Sequence, residues 1–282
     1  MQKVSGRIPY CYITVKTTKS RIGYGFLTIP VSLTGIFPKK AGNIYLVNEV
    51  GKEEKKHFNP YYSTRTRECR IYGLREFFRK YQIKGGDEIV IQVLDDDKYK
   101  IVPEKIFEKQ VLDIETKLMK SSSEEESESY IRKLAQVTNN TTDGVIKSEF
   151  IRLANEEIKE RKIKIKPEGK RRENVPASLR KILLELYRGK CQISNFSFLM
   201  KNGVPYFEIH HIDYAKGNHF KNLLVVSPNV HAQFTYTNVE EIFDKEGWLR
   251  KVKFNKDEYP VKQIIDSLSK GFEKEIHFFT EA

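Results

Sequence analysis

Along the first hundred residues the apolar positions come in short, interrupted runs. "YCYITV", "GYGFLTIPVSL", "NIYLV", "ECRIYGL" and "DEIVIQVL" are rich in aromatic and β-branched residues and are separated by Gly, Pro and Asn. That texture predicts short strands. One helix interrupts them at "LREFFRKYQI", where Leu74, Phe77, Phe78 and Tyr81 fall at helical spacing before "KGGDEI" turns back into a strand. Several short strands with one or two helices predict a small barrel.

From Glu104 to about Pro167 the period changes. "KIFEKQVLDIETKLMK" and "EFIRLANEEIKERKIKIK" place apolar residues three and four apart, the signature of amphipathic helices, and the run "SSSEEESES" between them reads as a flexible acidic tract. Beyond it, "RRENVPASLRKILLELYRGKCQIS" predicts a helix closed by Gly189. "PYFEIHHI" and "NLLVV" follow as strands, and "SPNVHAQFTYTNVEEIF" opens a helix with Ser227 as N-cap and Pro228 at the first helical position. The expected organisation is a β-rich domain over residues 1–105, a charged helical connector over 106–175, and a strand-strand-helix domain over 176–282. The connector's helices are candidates for pairing with a second copy.

Composition narrows the function. A chain of 282 residues with 39% hydrophobic content can bury two cores, which excludes a disordered polyelectrolyte. Its net charge of +12 points to a polyanionic partner. The excess is concentrated: residues 1–105 carry 20 Lys and Arg against 11 acids, whereas residues 176–282 carry 15 against 13. The amino-terminal part is therefore the candidate grip on a phosphate backbone. No apolar run is long enough for a membrane span and no secretory leader is evident, so a cytoplasmic protein without membrane contact is expected. Cys11, Cys69 and Cys191 never form a CxxC pair, which argues against a disulfide framework or a cysteine-built zinc site.

The chemistry concentrates in residues 206–234, which hold four of the six histidines: His210, His211, His219 and His231. The adjacent pair closes a predicted strand and His231 falls in the first turn of the helix. Three imidazoles from two elements suggest a divalent metal, because neutral imidazole is a good ligand. His210 and His211 are neighbours on a strand, so they can serve one phosphate only if the strand ends or distorts there.

With Glu208 two residues before the doublet, Asn222 opening the second strand and His231 nine residues further on, the segment resembles the HNH nuclease motif, the ββα-metal module. The resemblance spans about residues 176–245. It implies that His210 and His231 bind one divalent metal, Mg²⁺ or Mn²⁺. It further implies that His211 is the general base that takes a proton from water, that Asn222 fixes the loop presenting that base, and that Glu208 supports the strand. Many members also carry a zinc between CxxC pairs. Here those places read "CQIS" (Cys191, Ser194) and "SPNV" (Ser227, Val230), so a structural zinc is not expected. His219, in the hairpin loop, is given no catalytic part and is expected to face solvent or phosphate.

A second resemblance covers roughly residues 10–103. "FLTIPVSLTGIFP" and "YGLREFFRKYQIKGGDEIVIQV" are similar to the DNA-binding pseudobarrel of plant B-three-type transcription factors and of some restriction endonucleases. That family implies two arms that clasp the major groove. The first is "KTTKSRIGYG", with Lys16, Lys19, Arg21 and Tyr24. The second is "NPYYSTRTR", with Asn59, Tyr62, Ser63, Thr64, Arg65 and Arg67. Arg and Asn can form paired bonds with guanine and adenine edges, and Ser or Thr can reach base or phosphate.

Together the two resemblances imply an α+β chain: an N-terminal β-rich pseudobarrel, a helical connector and a C-terminal ββα-metal (HNH) module. The implied activity is a site-specific double-strand DNA endonuclease of the type II restriction class, with a homodimer expected because two strands must be cut. A modification-dependent or homing HNH endonuclease, and a non-catalytic DNA-binding regulator, stand as alternatives.

Overall fold

The computed structural model describes residues 2–4, 8–48, 51–60, 69–161, 163–166, 169–172 and 174–268. The chain is mixed α+β and divides into two compact units, residues 1–116 with 132–141, and residues 117–131 with 142–282. The stretch from 106 to 175 contributes to both. Among the described residues no helix is long and apolar enough to cross a membrane.

The first unit holds strands β1 (Gln2–Val4) and β2 (Cys11–Lys16), helix α1 (Lys19–Tyr24), strand β3 (Phe26–Ile29) and a 3-10 turn over Val31–Ile36. Strands β4 (Gly42–Val47), β5 (Glu53–Asn59) and β6 (Cys69–Tyr72), helix α2 (Arg75–Lys80), and strands β7 (Glu88–Asp95) and β8 (Lys98–Pro103) complete it. The sheet order is β1-β2-β7-β8-β4-β5-β6-β3, and only β4 and β8 run parallel. β3 comes back beside β2, so the sheet nearly closes into a barrel.

Its core follows from period-two burial. Ile44, Phe58, Ile71, Ile89 and Tyr99 are buried from five strands, and Leu74 and Phe78 close one end from α2. Phe37 stacks on both Phe58 and Tyr99, with ring centroids 5.3 and 4.5 Å away. The Tyr99 hydroxyl reaches the Ile36 carbonyl at 2.8 Å, which satisfies a polar group that burial would otherwise penalise. β5, "EEKKHFN", escapes sequence reading because Phe58 is its one buried residue, yet it pairs with β4 and β6 and is interior to the sheet.

The first arm differs from an open loop. Residues 19–24 form α1, capped by the Thr18 side chain, and Gly25 at φ 77° ends it. A Cβ at Gly25 would lie 2.4 Å from Arg75 Cγ, so this tight turn admits only glycine. The acidic tract also differs from expectation. After helix α3 (Glu104–Met119), Ser123 caps helix α4 (Glu124–Thr138), accepting from the Glu126 amide at 3.2 Å. Three glutamates then occupy the first turn of α4. Negative charge at a helix N-terminus complements the macrodipole, so a run that reads as linker by composition starts a helix. The apolar residues of α3, α4 and helix α5 (Thr142–Ala154), among them Phe107, Val111, Leu134 and Phe150, are buried within one chain.

In the second unit, the hairpin of β9 (Ile163–Lys166) and β10 (Gly169–Arg172) precedes helix α6 (Ala177–Tyr187). Arg188 takes the left-handed position at the end of α6 and Gly189 continues the turn, so the stop expected at Gly189 is shared by two residues. A short hairpin, β11 (Phe198–Leu199) with β12 (Pro205–Tyr206), leads into strands β13 (Glu208–His211) and β14 (Leu223–Val226) and helix α7 (Pro228–Tyr236). A three-stranded sheet of β15 (Val239–Phe243), β16 (Leu249–Phe254) and β17 (Asp257–Pro260) follows. Leu224, Val226, Val230, Leu249, Val252 and Phe254 form the core beneath β14 and α7.

Candidate active site

The strand, strand and helix that carry the histidines are set by local rules. Glu208↔Val226 through His211↔Leu223 fix the register of β13 on β14. β14 is apolar at all four positions and fully buried, which marks a strand covered on both faces. Its outer edge is bonded by Gln192, whose Oε1 accepts from the Val225 amide at 2.7 Å while the Gln192 amide donates to Val225 O at 2.9 Å. Ser227 caps α7 and Pro228 occupies its first turn, the start that the sequence predicts.

His210 and His231 come together: their ring centroids lie 5.3 Å apart at an interplanar angle of 70°. Phe234, one turn along α7 from His231, stacks on His210 at 4.0 Å and 19°. Burial, then the neighbouring His231 and His211, push His210 down to about 4, so it is neutral at physiological pH. Glu208 Oε2 accepts from Nδ1 of His231 at 2.5 Å, and Oε1 accepts from the Tyr206 hydroxyl at 2.9 Å. The bond from His231 holds the Glu208 carboxyl below its usual range. In the neutral ring, Nδ1 donating to the carboxylate leaves the lone pair on Nε2 of His231.

β13 ends at His211, and His210 and His211 both line one open cavity of about 440 Å³ with His231, Tyr214, Phe234 and Glu241. The His211 ring is pushed down by burial, with the Arg161 charge acting in the same direction and a hydrogen bond to Asn218 opposing it. Nε2 of His211 lies 3.0 Å from Asn218 Oδ1. Among the described residues, nothing hydrogen-bonds to its Nδ1.

Asn222 is buried, 3% exposed, and serves the loop between the strands. Its Oδ1 accepts from the Asp213 amide at 2.8 Å, and its Nδ2 faces the carbonyls of Asp213, Gly217 and Lys216 at 2.9, 3.1 and 3.3 Å. One side chain thereby replaces a missing strand partner for three residues of irregular backbone, Asp213, Lys216 and Gly217. His219 is not solvent-facing: it is buried, Nδ1 accepts from the Lys221 amide at 3.1 Å, and Nε2 donates to Glu156 O at 3.0 Å. Both ring nitrogens are used structurally. Cys191 is also buried and accepts from the Ser194 amide at 3.3 Å.

Among the described residues, no three His, Cys, Asp or Glu side chains form a ready metal cage. The donors that could hold a cation are two imidazoles, His210 and the Nε2 face of His231, with the rest of the sphere left to water or phosphate. That set fits a divalent ion: one ligand is neutral by burial, and the other is oriented by a carboxylate behind it, the usual second layer of a histidine metal site.

In the first unit, Lys16 ends β2 and is exposed, Lys19, Arg21 and Tyr24 lie on α1, and Asn59 ends β5 opposite Arg70 of β6. Tyr24, 71% exposed, stacks toward Phe26 at 6.1 Å; Phe26 meets Tyr72 at 5.9 Å and carries the Arg70 guanidinium at 4.1 Å. One face of β3, β6 and β5 thus links Tyr24 to Asn59 through three residues that the sequence reading did not single out. Alternation in "CRIY", with Cys69 and Ile71 buried, is the signal that turns Arg70 and Tyr72 to the other face, where both are half-buried. Tyr62, Ser63, Thr64, Arg65 and Arg67 lie outside the described residues. Sequence reading also missed Asn218, Arg161 and Glu241. Glu241 is carried to the cavity by β15, and burial, with Asp213 nearby, raises its carboxyl.

No family model matches the chain, and no curated protein matches it.

Proposed function

We propose that this chain is a site-specific double-strand DNA endonuclease that hydrolyses phosphodiester bonds at the strand-strand-helix site and recognises DNA through the amino-terminal barrel. The observation that carries the reading is the meeting of His210 with His231, with Glu208 behind His231 and His211 on the same cavity. That arrangement supports the HNH, or ββα-metal, reading of the segment.

In this reading His210 and His231 hold one Mg²⁺ or Mn²⁺, which supplies Lewis acidity for the charge that develops on the leaving oxygen. His211 takes the proton from the attacking water, a role suited to an imidazole kept neutral by burial. Asn222 holds the loop from Asp213 to Gly217, and with it the end of the strand that presents His211. Glu208 orients His231. The net reaction breaks the phosphorus to leaving-oxygen bond and adds water across it.

The barrel supplies affinity. Its excess of Lys and Arg would neutralise phosphates, and Tyr24, Tyr72 and Arg70, arranged around the buried Phe26, offer aromatic and guanidinium groups beside Asn59. Cutting both strands calls for two active sites, and a homodimer on a symmetric sequence supplies them. The test is incubation of the full chain with plasmid and Mg²⁺ or Mn²⁺. A fixed fragment pattern, lost in His211→Ala with DNA binding retained, is expected. Tight binding without cutting would replace the reading with a regulator. Cleavage confined to methylated plasmid would assign it to the modification-dependent class.

A further inference from the structure

The proton acceptor in the proposed reaction needs one ring nitrogen free and the ring held still. Neutral imidazole has two tautomers, and only the one with hydrogen on Nε2 leaves Nδ1 as the acceptor. The hydrogen-bond network around Asn218 selects between them. Asn218 Nδ2 lies 3.1 Å from the Asn174 carbonyl, which can only accept, so Nδ2 is the donor and the amide is oriented. Its Oδ1 therefore faces Nε2 of His211 at 3.0 Å. A carbonyl oxygen can only accept, so Nε2 must carry the hydrogen.

The backbone that carries Asn218 is fixed from both sides. The Gly217 amide donates to Lys159 O at 2.6 Å, and the Gly217 carbonyl faces Asn222 Nδ2 at 3.1 Å. A Cβ on Gly217 would sit 2.9 Å from Lys159 O, so the approach depends on glycine. Asn218 is thus an oriented amide on a pinned loop rather than a mobile surface side chain.

We propose that Asn218 is a positioning residue that locks His211 in the Nε2-protonated tautomer and so presents Nδ1 as the proton acceptor. The inference deepens the endonuclease reading and rests on it for the role of Nδ1. The hold on the tautomer itself can be read without DNA or metal.

The experiment uses the full chain labelled with ¹⁵N-histidine, with long-range proton-nitrogen correlation spectra recorded at pH 7.5 in the absence of metal, and His211 assigned from the His211→Gln spectrum. The unaltered chain should show a protonated Nε2 and a bare Nδ1 at His211. Asn218→Ala should shift that signal toward a mixture of tautomers and lower kcat by about a hundredfold, within the range of general-base contributions, while DNA affinity is unchanged. Asn218→Asp keeps an acceptor oxygen toward Nε2 and should hold the tautomer, but its second oxygen would face the Asn174 carbonyl that Nδ2 now satisfies, so only part of the rate should return. Unchanged His57 and His219 signals serve as the folding control. An Nδ1-protonated His211 in the unaltered chain, or a tautomer or rate indifferent to Asn218→Ala, would overturn the proposal. A tautomer that follows Asn218 in a chain that cuts no DNA would uphold the hold on His211 and remove the endonuclease reading alone.

Discussion

Glu208, at the start of β13, and His231, in the first turn of α7, are joined by a hydrogen bond of 2.5 Å between Oε2 and Nδ1. The bond crosses from sheet to helix and, in the proposed reaction, leaves Nε2 of the neutral His231 ring to face the metal. Removing the carboxylate frees the ring to rotate. Glu208→Ala should weaken Mn²⁺ binding by about 10- to 100-fold, and Glu208→Gln by less, as read by an electron paramagnetic resonance titration. Equal Mn²⁺ affinity in all three proteins would separate Glu208 from the metal.

Acid should destabilise the second unit through His210. Its folded value of about 4 lies below the ordinary 6.5, so between those values the unfolded chain binds more protons than the folded one. Stability then falls as pH drops, by up to about 1.4 kcal/mol per pH unit for this one group. Glu208 acts in the same direction at lower pH, because its depressed carboxyl stabilises the fold above the ordinary range and loses that effect on protonation. Urea unfolding at several pH values between 7.5 and 4.5 should show a shallower decline in His210→Gln than in the unaltered chain. Parallel curves would argue against a buried neutral His210.

Asn222→Ala would leave the buried Gly217 carbonyl and the half-buried amide and carbonyl of Asp213 without this partner. A loss of roughly 2 to 4 kcal/mol is expected in chemical denaturation, with faster amide exchange over residues 213–217. Aspartate is no substitute, because its carboxylate would face the carbonyls that Nδ2 now satisfies. A variant as stable as the unaltered chain would show that the loop holds without this side chain.

Lys16, Lys19 and Arg21 lie on the end of β2 and on α1. If they neutralise phosphates, each change to alanine should reduce the slope of log affinity against log salt by about one unit, with little change in sequence preference. Tyr24→Ala and Arg70→Ala should weaken binding through lost stacking instead, leaving the slope nearer its original value for the tyrosine. Binding titrations at several salt concentrations distinguish the two patterns, and slopes unaffected by any of the basic changes would remove α1 from the DNA surface.

Much of the architecture was legible from one-dimensional pattern, because period-two alternation and capping chemistry are local. The strands at "YCYITV" and "DEIVIQVL", the helix containing Phe78, and the Ser227-Pro228 start of α7 all depend on residues near in sequence. The failures share a cause as well. β5 is a polar strand held by its neighbours on both sides, and the glutamates after Ser123 start a helix because the dipole and cap favour them there.

The order of Glu208, His210, His211, Asn222 and His231 is written in the sequence, and so is the strand-strand-helix frame that carries them. Which ring nitrogen is free is not. Glu208 oriented on His231, Asn218 facing His211, Glu241 brought to the cavity from β15, and His219 withdrawn into a carbonyl bond are contacts made across the fold. Hydrogen bonds and burial decide the protonation and orientation of an imidazole, and both are properties of the packed structure rather than of the order of residues.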